Sequence, residues 1–378
     1  MRISDLLPSP YVLQANADTK FALLRREVRD KRRIEVKYID LEKVFLTPNS
    51  GADLVLEERD EIIIFDLEKS RSKRLFRILK DLEIQSTQKS PQMIFSVSGH
   101  VRYEGAFPLQ YGARLLDVLK VAGGIKVGTD RRYALVARKV FPRGELEMFS
   151  VQLGKALMQR DSEWNPYIHP EDKIFIFNGA MDRGLIIKEQ IHRLIKQTHY
   201  GDMAPLVSVQ GSIKHEGTFP LEPGMRVSDL IAATGGLKED AYGVAAELTR
   251  YKIIDGEYKV ADHYFIDLDR VTQGDREADF ILHARDFLTF RKKPSWFEER
   301  IIELSGEVVY PGKYTVSKSE TLCNVLHRAG GLTNQAFPFG AVFTRESVKL
   351  KQQALLAKVN EQVQRLMLNK HISPGYGQ

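Results

Sequence analysis

Apolar and polar residues alternate in short runs along most of the chain, and glycines interrupt these runs. The clearest pair of runs extends from Phe95 to Val101 and from Phe107 to Leu109, around Tyr103-Glu104-Gly105. Period-two alternation is typical of half-buried strands, and a glycine-bearing segment between two such runs predicts a hairpin. A later segment, Tyr310-Pro311-Gly312-Lys313, places Pro and Gly at the central positions of a type II turn. We therefore expect β-hairpins here.

A helical pattern follows each predicted hairpin. The segments RLLDVLKVAGG, RVSDLIAATGG and TLCNVLHRAGG begin at Arg114, Arg226 and Thr321. Each places Leu, Val or Ile at helical spacing and ends in a double glycine, which predicts a short helix with a glycine C-cap. Strand-like runs come next in the best preserved copy, namely ALVARKV from Ala134, MFSVQL from Met148 and IFIF before Asn178.

These patterns recur at a fixed period. Arg2, Arg114 and Arg226 are equally spaced (114 − 2 = 112; 226 − 114 = 112), and each opens an R-x-x-D-(L/V)-(L/I) segment. Fixed self-similarity of this kind indicates a tandem array. Nothing like the hairpin precedes Arg2, so we expect the first copy to lack it and Met1 not to be the natural start.

The repeats predict an elongated α+β array with five segments. A partial repeat with a helical connector covers 1–90, and a repeat with a connector covers 91–202. A further repeat covers 203–300, a partial one 301–345, and a C-terminal helix with a tail 346–378. The connectors are predicted as basic helical spacers over Leu67 to Ile84 and Met181 to His199. The third connector, from Lys292 to Arg300, is shorter.

The shared positions of the copies predict a structural motif. Glycines are expected at turns and helix ends, and Asp5 and its equivalents are expected to complement the free N–H groups of the first helical turn. The motif residues are Gly99, Gly105, Asp117, Gly123, Gly124, Gly211, Gly217, Asp229, Gly235, Gly236, Gly306, Gly312, Gly330 and Gly331.

Composition narrows the functional classes. With 43% hydrophobic and 28% charged residues among 378, the chain has the composition of a globular protein. The net charge of +6 allows anionic partners, but Lys and Arg are interleaved with 50 acidic residues, so nucleic-acid binding is not expected. The nine histidines and the single Cys323 form no metal-ligand spacing. We predict no metal, no cofactor and no catalytic residue.

Aromatic residues in predicted loops are the candidates for ligand contact. A flat ring there could stack on the face of a sugar, and nearby arginines could hold an acidic glycan. Anchoring between domains or subunits is the alternative role for the same rings. The candidate residues are Trp164, Tyr167, Tyr133, Tyr242, Arg131 and Arg132.

A motif now emerges that combines the hairpin G-x-(V/I)-x-x-x-G-x-(F/Y)-x-(L/V) with the helix R-x-x-D-(L/V)-(L/I)-x-x-(A/T)-G-G. This combination resembles the soluble-ligand-binding β-grasp (SLBB) domain of bacterial polysaccharide export proteins, the Wza-like capsule exporters. The segment from Ala341 to Leu366 resembles the helical extension that follows the last such domain.

The resemblance implies an architectural role in exporting capsule or exopolysaccharide. It implies a periplasmic segment of an outer-membrane-associated protein that forms a homo-oligomeric ring. Its partners would be polysaccharide, other copies of itself and an inner-membrane polysaccharide co-polymerase or export protein. The alternative is a soluble periplasmic carbohydrate-binding module, which would use the loop aromatics directly.

Overall fold

The computed structural model describes residues 1–28, 33–87, 90–199, 203–254, 258–294, 296, 300–317, 319–345, 348, 352–353 and 355–356. The chain separates into two compact units, Met1–Pro294 and Ser295–Gln378. Small sheets and short helices alternate along the sequence, so the predicted α+β fold with tandem repeats is confirmed. No helix in these ranges is both long enough and apolar enough to cross a membrane.

The first repeat is built on a three-stranded sheet with two short helices. Its elements are α1 (Ile3–Leu6), β1 (Ala17–Val28), β2 (Arg33–Ile39), α2 (Leu41–Leu46) and β3 (Glu61–Asp66). The strand order is β2-β1-β3, and both pairs are antiparallel. Successive β1 residues face opposite sides, so Leu23 and Leu24 enter different hydrophobic cores. The sheet is therefore covered by apolar residues on both faces.

The second repeat adds a hairpin to the same arrangement. After the connector helix α3 (Ser72–Ile84), its elements are β4 (Ile94–Gly99), β5 (Gly105–Pro108), α4 (Leu115–Val121), β6 (Thr129–Val140), β7 (Glu145–Val151), α5 (Leu153–Met158) and β8 (Lys173–Asn178). The strand order is β5-β4-β8-β6-β7, and β4 is parallel to β8. The three strands of the first repeat correspond to β6, β7 and β8.

The third repeat copies the second. After the connector helix α6 (Arg183–Gln197), its elements are β9 (Leu206–Gly211), β10 (Gly217–Pro220), α7 (Val227–Ala233), β11 (Ala241–Ile254), β12 (Tyr258–Ile266), α8 (Leu268–Thr272) and β13 (Phe287–Lys292). The strand order β10-β9-β13-β11-β12 repeats that of the second sheet, with β9 parallel to β13.

The second unit contains a hairpin and a helix. These are β14 (Arg300–Leu304), β15 (Gly312–Val316) and α9 (Leu322–Arg328). The helical extension expected from Ala341 does not begin there, because Ala341 leaves a short 3-10 turn at Pro338–Gly340 in an extended conformation. Residues 357–378 lie outside the described residues, as does most of 346–356, so the predicted C-terminal helix stays a prediction.

The strands of each hairpin are joined by a segment that contacts the following helix, and not by a tight turn. β4 ends at Gly99 instead of Val101, and the Tyr103 N–H donates to the Ala122 carbonyl at the end of α4 (2.9 Å). The type II turn predicted at 310–313 is wrong, since Gly312 begins β15 with a φ of 155° where that turn needs about 80°. The segment between the hairpin strands thus donates hydrogen bonds to backbone carbonyls that the C-terminal end of the following helix leaves free.

Gly99 and Gly211 allow the parallel strand to approach closely. Both have a positive φ, and a Cβ at either position would lie 2.0 Å from the carbonyl oxygen of Ile176 or Phe290. Gly306 has the same conformation (φ 94°), but no atom lies within 4 Å of its Cβ position. The second unit thus retains the backbone shape that receives a parallel strand in the complete repeats.

The connector helices pack between the sheets. Leu75, Ile78 and Leu82 of α3 are buried in a core that includes residues of β1 and β4. On α6, Ile187, Ile191 and Leu194 lie in a second core, which joins β6 to the third repeat. Both connectors are helices, as the sequence predicts, and they fill the junctions and link adjacent repeats through continuous apolar cores. The third connector lies partly outside the described residues.

Candidate functional site

A buried arginine at the start of each connector helix joins two repeats. Arg183 Nη2 lies 2.6 Å from Asp130 Oδ2. Its Nη1 donates to the carbonyls of Ala232 (2.9 Å) and Ala233 (2.8 Å), at the C-terminal end of α7. A cation is favoured there because the free carbonyls carry partial negative charge. The first junction repeats the arrangement with Arg71, Asp18, Lys120 and Val121.

Aromatic rings surround each of these guanidinium groups. Arg183 Cζ lies 5.4 Å from the centroid of Tyr133 and 5.2 Å from that of Phe177. Tyr133 is only 3% exposed and lies in β6, and its burial raises the pKa of its phenol. Its burial opposes the predicted contact with a glycan and agrees with the other predicted role, anchoring between domains. Its ring is used inside the junction.

A glutamine side chain pairs with the edge strand of the preceding repeat. At the first junction, Gln85 Nε2 donates to the Ile34 carbonyl (3.0 Å), and Gln85 Oε1 accepts from the Ile34 N–H (2.8 Å). Gln197 and Leu146 form the same pair of hydrogen bonds at the second junction. The side-chain amide thus makes the pair of hydrogen bonds that a neighbouring strand would otherwise make. Because the same pair occurs at both junctions, the two junctions share one packing framework.

A cavity of about 900 Å³ opens at the first junction, which we call the large cavity. It lies between β2, the end of α3 and the loop after β5, and Tyr38 lines it. The Tyr38 hydroxyl donates to the Pro108 carbonyl (2.9 Å), and burial raises the pKa of this phenol. Its polar lining includes Arg33, Glu35, Lys37, Asp40, Lys43, Gln110 and Tyr111.

A cavity of about 350 Å³, the small cavity, lies beside α4 and α5. Lys43 lines both cavities, so the two share one wall. Asp40 Oδ1 accepts from the backbone N–H of Lys43 (3.3 Å), and Asp40 Oδ2 lies 3.9 Å from Lys120 Nζ. The charged side chains that line the small cavity are Lys43, Arg114, Asp117, Lys120, Arg160 and Asp161.

Two of the predicted ligand residues lie beside the small cavity. The Tyr167 hydroxyl accepts from Arg114 Nη2 (3.0 Å), and Arg114 Cζ lies 4.3 Å from the centroid of the ring. The Lys155 ammonium lies 3.9 Å from the centroid of the Trp164 ring. The Asn165 side chain between them accepts from the Leu116 N–H (3.0 Å), which fixes this loop to α4. Both rings therefore have one face covered by a cation.

The other predicted ligand residues lie elsewhere. Arg131 and Arg132 are exposed on β6, and Arg132 Nη2 donates to the Gly235 carbonyl (3.1 Å) at the second junction. Tyr242 lies in β11 of the third repeat, where it is 37% exposed. The six predicted residues thus divide between two junctions and the third repeat, and the structure does not gather them into one site.

The repeated arginines and aspartates at the helix starts are structural. Asp117 Oδ2 accepts from the backbone N–H of Arg114 (3.0 Å), and Asp5 and Asp229 do the same for Arg2 and Arg226. The guanidinium groups of these arginines donate to carbonyls of the loop before the closing strand. This loop and the helix start are thereby held together in each copy.

A second repeated ion pair escaped the sequence reasoning. Arg138 donates hydrogen bonds to the buried carboxylate of Asp172 from Nε (3.0 Å) and Nη2 (2.7 Å). Arg26 holds Asp60, and Arg250 holds Asp286, in the same way. The signal was present, because the arginines recur at the repeat period (138 − 26 = 112; 250 − 138 = 112).

Hydrogen bonding controls the ionisation of one of these carboxylates. Burial alone would raise the pKa of Asp60, but hydrogen bonds from Arg26 and from the Glu57 N–H outweigh it, so the pKa is lowered. The same pair raises the pKa of Arg26, chiefly through the hydrogen bond to Asp60. Asp60 is therefore held ionised on the loop that precedes β3.

A buried carboxyl distinguishes the second junction from the first. Glu222 Oε2 accepts from the Ser150 hydroxyl (3.0 Å), and burial raises the pKa of Glu222. The equivalent residue at the first junction is the neutral Gln110, whose Oε1 accepts from the Tyr38 N–H (2.5 Å). Within the described residues, no three His, Cys, Asp or Glu side chains are grouped so that they could hold a metal ion.

The fold and these repeated networks define the class of protein as a tandem α+β repeat protein with packed junctions. The SLBB domain matches the chain three times, over residues 94–149, 206–257 and 301–338. The protein is therefore an SLBB-containing protein. SLBB domains are associated with polysaccharide export and with ligand-binding periplasmic proteins. A comparison with curated proteins gives no significant match.

Proposed function

We propose that the chain is the periplasmic segment of an outer-membrane polysaccharide export protein, in which it is a structural and oligomerisation element of the conduit. The three SLBB matches carry this proposal, because that domain class is associated with polysaccharide export. Its partners in this role are polysaccharide, further copies of the same protein and an inner-membrane polysaccharide co-polymerase. The SLBB domain is a binding and export domain, so no catalytic residue is assigned.

The junctions support an architectural role. Each connector helix is buried between two repeats, and each junction holds a buried arginine bound to both sides. The ion pair fixes the connector helix to the repeat before it, and the hydrogen bonds from the same arginine to backbone carbonyls fix it to the repeat after it, so adjacent repeats are held in a fixed relation. A conduit wall needs such fixed relations, because its subunits must present the same surface at every interface.

Deletion of the gene in the source bacterium tests the export role. We expect the surface polysaccharide to be lost while its synthesis continues, with material accumulating inside the cell envelope. Return of the full-length gene should restore the surface polymer. Wild-type surface polysaccharide in the deletion strain would contradict the proposal.

Native mass spectrometry of the full-length protein tests the oligomeric role. A closed homo-oligomer is the expected species, whereas monomers at every concentration would favour a soluble carbohydrate-binding module instead. Cell fractionation tests the location, and recovery of the protein in the cytoplasmic fraction would contradict it.

A further inference from the structure

We propose that the first junction is a binding site for an acidic oligosaccharide, which lies in the large cavity and extends past Lys43 into the small cavity. This inference rests on the proposed function, since it assigns a carboxylate-bearing glycan to an export protein. It adds the location of a binding site and the negative charge of its glycan, which the export role alone does not specify.

The size and lining of the two cavities fit an extended polar ligand. The large cavity, at about 900 Å³, is near the upper end of small-molecule sites, which span about 300–1,000 Å³. The small cavity adds about 350 Å³ beyond Lys43. A chain of sugars that occupies both cavities would therefore pass the ammonium group of Lys43.

The cations around Lys43 favour a carboxylate-bearing sugar. Arg33, Lys37 and Lys43 line the large cavity, and Lys120 and Arg160 line the small one. One of the opposing carboxylates, Asp40, is already engaged by the Lys43 N–H and approached by Lys120. Hydrogen bonds between cations and carboxylates are about twice as strong as neutral ones, so an acidic sugar gains most here.

An aromatic ring completes the recognition chemistry. Tyr111 lines the large cavity and is 91% exposed, so both faces of its ring are open to a ligand. A flat ring with a polar tip can cover the apolar C–H face of a pyranose while its hydroxyl reaches a neighbouring group. Arg114 lines the small cavity, and the exposed Tyr167 ring that it contacts lies next to that cavity.

The second junction provides an internal comparison that separates packing from binding. Its glutamine clamp and its buried arginine match those of the first junction. The cavity rim differs, because Arg33, Lys37 and Tyr111 are replaced at the repeat period by Glu145, Phe149 and Pro223. Lys43 recurs as Lys155, so the first junction differs from the second in Arg33, Lys37 and Tyr111, as expected of a function added to a common fold.

Calorimetric titration of the purified chain tests the proposal with defined probes. These are an alginate hexasaccharide, which carries a carboxylate on every ring, and maltohexaose, which carries none. We expect the alginate hexamer to bind at least about tenfold more tightly than maltohexaose, since one charge-assisted hydrogen bond accounts for such a factor. Inorganic hexametaphosphate, a polyanion without sugar rings, is the control for charge alone, and we expect its binding to be insensitive to Tyr111→Ala.

Matched variants locate the site. Lys43→Ala and Arg33→Glu should each weaken alginate binding at least about tenfold, and Tyr111→Ala should weaken both alginate and maltohexaose binding. The controls are Lys69→Ala and Tyr11→Ala, which remove an exposed lysine and a 96% exposed tyrosine that line neither cavity. These controls should bind like the wild type, and circular dichroism should show that every variant is folded.

Specific results would overturn the site. No heat of binding for the alginate hexamer at millimolar concentration would do so, as would equal losses in the Lys43→Ala and Lys69→Ala variants. If deletion of the gene abolishes export while the titration is negative, only the proposed binding site is refuted. If deletion leaves export intact while the titration is positive, the export role fails and the chain is a carbohydrate-binding module.

Discussion

Arg183 and Asp130 form an ion pair of 2.6 Å between the second connector helix and strand β6 of the second repeat, and the arginine side chain is fully buried. The same arginine donates to two carbonyls of the third repeat. One guanidinium group therefore links three segments of chain, and its removal should leave the buried Asp130 carboxylate with Arg132 as its remaining cation and the Ala233 carbonyl without this donor.

Replacement Arg183→Met should lower the free energy of unfolding by up to about 3–5 kcal/mol, because Asp130 stays buried and keeps only the exposed Arg132 as a counter-ion. Urea unfolding followed by far-UV circular dichroism measures this loss. Adding Asp130→Asn should recover part of it, since the uncompensated charge is then gone. Lys188→Met on the exposed face of the same helix should change stability by less than about 0.5 kcal/mol. Equal losses for the two single variants would contradict the arginine's role.

Replacement Gly99→Ala should destabilise the second repeat much more than Gly105→Ala. Both glycines have a positive φ, so either substitution costs about 1–3 kcal/mol in backbone strain. Only at Gly99 would the new methyl group also meet the Ile176 carbonyl, because no atom lies within 4 Å of the Cβ position of Gly105. Thermal unfolding of the two variants measures the difference. Equal melting temperatures would show that β8 moves away from the new methyl group without loss of stability, which would contradict this prediction.

The stability of the second junction should fall as the pH rises. Burial raises the pKa of Glu222, so the native state keeps this proton to a higher pH than the unfolded chain does. Its contribution to the free energy of unfolding is complete below the unfolded pKa of about 4.3. It is lost as the pH increases through the raised native pKa.

Glu222→Gln should remove this dependence, because glutamine keeps a hydrogen-bonding group without a titratable charge. The variant should be more stable than the wild type at pH 8 by about 1.4 kcal/mol per unit of pKa shift, with little difference at pH 4. Urea unfolding at several pH values measures the effect, and Gln110→Glu should create it at the first junction. A stability difference that does not change with pH would refute the assignment.

Replacement Arg26→Met should raise the pKa of Asp60. Burial already opposes ionisation there, and the strongest hydrogen bonds that outweigh it come from Arg26. In the wild type, this lowered pKa stabilises the native state above the unfolded value of about 3.9, and the stabilisation is lost as the pH falls through the native pKa. Carboxyl NMR titration reports Asp60 directly. The exposed Arg59→Met variant should leave that titration unchanged.

Periodic features of the fold could be predicted from the sequence, whereas features that depend on three-dimensional packing could not. The short helices after Arg114 and Arg226 were visible because apolar spacing and double glycines both mark them. The sequence left two roles open for Tyr133, because a tyrosine beside two arginines fits a glycan site as well as a junction until the buried Arg183 is seen beside its ring. The repeated Arg138–Asp172 pair was readable from its spacing, but only the contact shows its purpose.

The two cavities could not be predicted, because they arise where β2 meets the end of α3 and the loop after β5. Their lining residues, such as Arg33 and Tyr111, are distant in sequence and carry no motif. Trp164 and Tyr167 lie on the loop whose Asn165 lines the small cavity, and neither ring lines the cavity itself. Contact between these rings and a glycan stays a prediction.

The arginine at each junction also has a consequence for synthesis on the ribosome. Arg71 belongs to the connector after the first repeat, yet its carbonyl acceptors lie at residues 120 and 121, in the next one. A nascent first repeat can pair Arg71 with Asp18, but the hydrogen bonds to those two carbonyls form only after α4 has emerged and folded. The packing of each such junction should therefore be completed only after the following repeat has been synthesised.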